Sequence, residues 1–154
     1  MSSRSFRADA LRPDYFINLV EELISNGKIR DEVCVRRLLS ALYFSLFNYW
    51  ASIKYDKGAR RKGPKQDRFD YKEFHEDLLR EELDVELNLL YTYRVAVDHY
   101  ILNPTIIQIY NREIVRLMTR DRQEVHIGIN VLRKAIEAAR TILKQISSLV
   151  KNTC

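Results

Sequence analysis

Val35-Arg36-Arg37-Leu38-Leu39-Ser40-Ala41-Leu42-Tyr43-Phe44-Ser45-Leu46-Phe47-Asn48-Tyr49-Trp50-Ala51-Ser52-Ile53 is the stretch on which the fold turns. Its apolar residues recur at steps of three and four and form two adjacent seams, Val35-Leu38-Leu42-Leu46-Tyr49-Ile53 and Leu39-Tyr43-Phe47-Trp50. Two seams on one helix leave only a narrow face for water. A helix of this kind, predicted from Asp31 to about Tyr55, belongs at the centre of a bundle with other helices packed around it.

The flanking sequence supplies those helices. Pro13 to Asn26 sets Tyr15, Phe16, Leu19, Val20, Leu23 and Ile24 on one face, and Asn26-Gly27 supplies the stop. Tyr71 to Arg80 reads as a short helix, and Leu83 to about Leu102 as a longer one closed by Asn103-Pro104. The final helix is predicted from about Asp121 to Val150, where Val125, Ile129, Leu132, Ile136, Ala139, Leu143, Ile146 and Val150 alternate steps of four and three. A short helical piece is placed within Thr105 to Met118, because no alternating run bounded by turn residues marks a strand. Between Lys57 and Asp70 the periodicity lapses, and Gly58, Gly63 and Pro64 stand among Arg60, Arg61, Lys62, Lys65 and Arg68, the composition of a basic loop. The expectation is all-α, an up-and-down bundle of about five helices forming one domain over residues 1–154.

Charge and composition narrow the function classes. A formal net charge of +5 favours an anionic partner such as RNA. The segment Met1 to Arg7 lacks the apolar core of a signal peptide, and no run approaches the roughly 20 apolar residues of a membrane span, so a cytoplasmic protein with no membrane partner is expected. Cys34 and Cys154 form no C-x-x-C pair and have no matching histidine cluster, so neither a zinc site nor a disulfide framework is expected. A phosphate-binding glycine loop and an H-E-x-x-H pattern are both absent from the sequence, which sets aside common nucleotide and metalloprotease readings.

The chemistry concentrates in Tyr93-Arg94-Val95-Ala96-Val97-Asp98-His99-Tyr100. An arginine grips phosphate through two N–H groups at any physiological pH, and a histidine titrating near neutrality exchanges protons with a 2'-hydroxyl or a leaving oxygen. These are the parts of an RNA-cleaving site that needs no metal and no cofactor. Asp98 lies four residues after Arg94, the spacing of helical neighbours, and is expected to pair with it. Arg94 and His99 are five residues apart, which turns a regular helix by roughly 140°, so a shared site calls for a second copy of the chain. The alternative for Arg94 is a plain ion pair with Asp98, and for His99 a cap near the helix end. His75 and His126, among charged neighbours, are expected on the surface. Ser40 and Ser45 are expected to bond to carbonyls of the preceding turn. Tyr55 and Phe69 border the basic loop as candidate stacking groups, with Arg60, Arg61, Lys62 and Lys65 as candidate contacts to an RNA backbone.

The helix order and the Arg94-x4-His99 element together resemble the HEPN domain family, an all-α group with an R-x4-6-H motif in a late helix. The resemblance covers most of the chain, including the aromatic-rich second helix, the charged irregular stretch, the motif helix and the long last helix. Active members of that family are metal-independent endoribonucleases, often toxins or defence effectors, that dimerise so that two motifs share one cleft. The resemblance implies Arg94 and His99 as catalytic residues, Asp98 and Tyr100 as supporting ones, a homodimer, and RNA or a nucleotide as ligand. Val95 stands where many active members carry a polar residue. Ile101 stands where the toxins paired with a small nucleotidyltransferase antitoxin carry the tyrosine that is modified. Two further readings stay open beside the enzyme: a non-catalytic module that binds nucleotide or RNA, and a helical partner of a nucleotidyltransferase antitoxin.

Overall fold

The computed structural model describes residues 12–56, 70–100, 106–109, 113–116 and 127–151. Helix α1 (Pro13–Ser25) begins on a proline, whose fixed φ suits a first turn that needs no N–H partner. It ends at Gly27, left-handed at φ 62°, which lets Lys28 N donate back to the Leu23 carbonyl at 2.9 Å. Asp31 opens α2 (Glu32–Asp56), its Oδ1 accepting from Cys34 N at 2.8 Å. Asp70 does the same for α3 (Tyr71–Arg80), accepting from Glu73 N at 3.0 Å. The chain then passes through Glu82, left-handed at φ 58°, where Leu83 N donates to the Leu78 carbonyl at 3.0 Å, and enters α4 (Asp84–His99). A glutamate at that φ costs about 1–2 kcal/mol that a glycine would not.

Two strands, β1 (Ile106–Ile109) and β2 (Glu113–Arg116), follow as an antiparallel hairpin, and α5 (Ile129–Lys151) completes the described elements. The hairpin corrects the helical piece expected within Thr105 to Met118. Its register pairs Ile107 with Val115 and Ile106 with Arg116, and the β-branched side chains of both strands are stiffer in a helix than on a pleated surface. Strands of four residues are too short to display an alternation in sequence. The start of the last helix is also corrected. A bend at Gly128 precedes α5, which begins at Ile129 and not near Asp121.

The five helices form the expected all-α bundle around one apolar core. Helix α2 packs against α4 and α5, α1 lies against α5 and α2, and α3 bridges α2 and α4. Both predicted seams of α2 point inward, Leu39, Tyr43 and Trp50 from one and Val35, Leu42 and Leu46 from the other being buried. In α1 the inward stripe is Pro13, Ile17, Val20 and Ile24, while Tyr15 and Leu19 face water, because a wide apolar face can be buried along only one of its edges. Among the described residues no helix is long and apolar enough to cross a membrane.

Candidate functional site

The last two turns of α4 lie along the first half of α2, and that seam holds most of the motif. Arg94 Nε lies 3.0 Å from Asp98 Oδ2, one turn on, with the two side chains 20% and 27% exposed. The pair is an ion pair without a hydrogen bond, because Arg94 Nε remains a buried donor with no acceptor in line. The guanidinium packs on aromatic rings instead, 5.0 Å from the centroid of Phe44 and 5.8 Å from that of Tyr43. Ser40 Oγ, on α2, donates to the same Asp98 Oδ2 at 3.1 Å. Ser40 therefore departs from the expected bond to its own preceding turn, whereas Ser45 makes it, donating to the Leu42 carbonyl at 2.9 Å. A partner across the interface outcompetes a local carbonyl when it carries a charge.

One turn before Ser40, Arg36 reaches across to the end of α4. Its Nη1 donates to the Tyr100 carbonyl at 2.6 Å, with the Ala96 and Val97 carbonyls at 3.5 Å, and its Nε donates to Glu32 Oε1 at 2.9 Å. A cation at this point satisfies C-terminal carbonyls and complements the helix dipole. Arg36 Nη2 is buried with no acceptor. Tyr100 caps α4 in extended conformation and its half-buried ring packs on the core. Val33, Arg36, Arg37, Ser40 and Ala41 of α2, with Val97 and Asp98 of α4, line a groove of about 420 Å³. A larger pocket of about 820 Å³ between α1 and α5, crossed by the Arg140–Glu21 ion pair, shares no residue with the motif.

His99 is the last residue of α4 and is exposed. Within one chain it does not join Arg94: the arginine faces the rings of α2, and a five-residue step sets the histidine about 140° round the helix. His75 is a correction, buried at 5% exposure and not on the surface. Its Nε2 lies 2.7 Å from the Tyr43 hydroxyl and its ring meets Tyr91 edge-on at 4.5 Å between centroids. Burial, assisted by the nearby charge of Arg94, pushes its pKa down to about 4. Tyr71, His75 and Leu78 share one stripe of α3, a signal that the charged neighbours of His75 masked in the sequence. The facing of Arg36 and Ser40 toward α4 had no signal beyond their spacing of one turn. Arg60, Arg61, Lys62 and Lys65, with Tyr55's ring, Phe69 and His126, lie outside the described residues.

Chemically, the seam offers guanidinium groups, a hydroxyl and a carboxylate whose charge Arg94 offsets. Among the described residues no group of three or more His, Cys, Asp or Glu is placed to hold a metal ion. No family model, no curated protein and no solved structure matches the chain.

Proposed function

We propose that this chain is a metal-independent endoribonuclease of HEPN type, acting in the cytoplasm as a homodimer whose two motifs meet across one cleft. The observation that carries the reading is Arg94, a partly buried guanidinium packed against the rings of Phe44 and Tyr43 with a donor still unused, on the same helix as the exposed His99. In the proposed reaction His99 takes the proton from an RNA 2'-hydroxyl and the 2'-oxygen attacks the adjacent phosphorus. Arg94 stabilises the phosphorane charge, and the bond to the 5'-oxygen breaks as the partner's His99 or water protonates it. The products are a 2',3'-cyclic phosphate and a free 5'-hydroxyl. Asp98 positions Arg94 and does not react.

A second reading, a module that binds RNA or a nucleotide without cleaving it, is favoured by Val95, which is only 6% exposed and packs in the core. The side chain next to Arg94 is thus spent on packing and adds no polar group to the cleft. Incubation with mixed-sequence RNA in EDTA, beside Arg94→Ala and His99→Ala variants of matched helicity and oligomeric state, separates the two. Cyclic-phosphate ends from the parent alone support cleavage. Equal cleavage by all three proteins removes Arg94 and His99 from the site, and intact RNA with retained binding favours the second reading.

A further inference from the structure

The two buried side-chain donors left without a hydrogen bond among the described residues are both guanidinium nitrogens, Arg36 Nη2 and Arg94 Nε, and they stand on the two helices that form one seam. A buried N–H without an acceptor costs about 1–3 kcal/mol, so the seam carries more donor capacity than the chain itself uses. The groove at that seam is lined by Arg36, whose Nε is paired with Glu32 at 2.9 Å, and by Arg37, which is exposed and has no ion-pair partner among the described residues, while Arg94 stands on the seam outside the groove's lining. Its one carboxylate, Asp98, is already engaged by Arg94 and Ser40. The carbonyls that end α4 would repel an anion, but Arg36 covers that end through its bond to the Tyr100 carbonyl. At about 420 Å³ the groove falls within the range of small-ligand sites, and Val33 and Val97 give it apolar wall beside the charge.

We propose that this groove between α2 and α4 binds a phosphate group, with Arg37 as its principal ligand, Arg36 as a partly buried second donor, and the valine-lined wall taking the nucleoside attached to it. Arg37 and Arg36 are binding residues here, separate from the cleaving pair. The assignment holds whether or not the protein cuts RNA, since it is read from binding.

Calorimetric titration at low ionic strength tests it with inorganic phosphate, a nucleoside 5'-monophosphate, and a short RNA carrying or lacking a 5'-phosphate. Arg37→Ala is compared with Lys134→Ala, a charge-matched change at an exposed residue of α5 outside the groove. The expected result is binding that requires the phosphate and weakens about tenfold in Arg37→Ala, the worth of one charge-assisted contact, while Lys134→Ala binds as the parent does. The tightest of the probes then identifies whether the phosphate comes free, on a nucleotide or on an RNA end. Absence of binding by the parent to every probe, or equal losses in the two variants, overturns the proposal.

Discussion

The chain places two histidines in opposite circumstances, one close enough to Arg94 to feel its charge and the other on the same helix as Arg94 but turned away from it. His75, on α3, is sealed among Tyr43, Tyr91 and Phe74 and stays neutral down to a pH of about 4. His99, at the end of α4, is exposed to water. The difference teaches that residue type offers a chemistry and burial decides whether it is available: the inner histidine is a packing and hydrogen-bonding element, and the outer one is open to water. Tyr43, Arg94 and Arg37 grade in the same way, from a buried ring through a partly covered guanidinium to an exposed one.

The inner region is the easier to break. Phe74, only 1% exposed, meets Tyr43, Phe47, Trp50 and His75, and Phe74→Ala is expected to cost about 3–5 kcal/mol in urea unfolding as a cavity opens beneath α3. A loss below about 1 kcal/mol would mean that α3 is not part of the cooperative core. Tyr43→Phe keeps the ring and removes only the hydroxyl that His75 Nε2 meets at 2.7 Å, so about 1–3 kcal/mol is expected from the polar atom left buried.

Lowering the pH sharpens the contrast. The unfolded chain takes up the imidazole proton near 6.5 and the folded one only near 4, so between those values the unfolded state holds more protons. Stability present above pH 6.5 is therefore lost as the pH falls toward 4, and His75→Gln, measured by thermal unfolding across that window, should show a shallower decline. A parallel decline in both proteins would place the acid sensitivity elsewhere. The outer region should respond least: Asp98→Ala is expected to cost about 1–2 kcal/mol, because a largely covered Arg94 loses its counter-charge, and His99→Ala to stay within about 0.5 kcal/mol of the parent. A larger loss in His99→Ala would show that this residue supports the fold and would weaken its candidacy for chemistry.

Much of this arrangement is legible in the sequence. The seams of α2, the boundaries of α3 and the Arg94–Asp98 pair all follow from periodicity, capping residues and the four-residue neighbour rule, which act within one helix. The hairpin has no signal in the sequence because four-residue strands of β-branched residues carry no periodic signature, and each becomes a strand only by pairing with the other. His75 was misplaced because its neighbours in sequence are charged while its neighbours in space are aromatic rings. Ser40 and Arg36 went unassigned to α4 because their partners lie some sixty residues away.

The sequence by itself determined that this chain buries a two-seamed central helix within an all-α bundle, and that an arginine, a carboxylate and a histidine share the end of one helix, since helical geometry and hydrophobicity act over a few neighbouring residues. The tertiary structure alone decided which histidine is sealed, which carbonyls Arg36 covers, and that Arg36, a guanidinium with an unused donor, lines a groove between α2 and α4. Those outcomes depend on how helices rotate against one another to bury the most apolar surface. That choice is made by the whole core at once, and no short stretch of residues carries it.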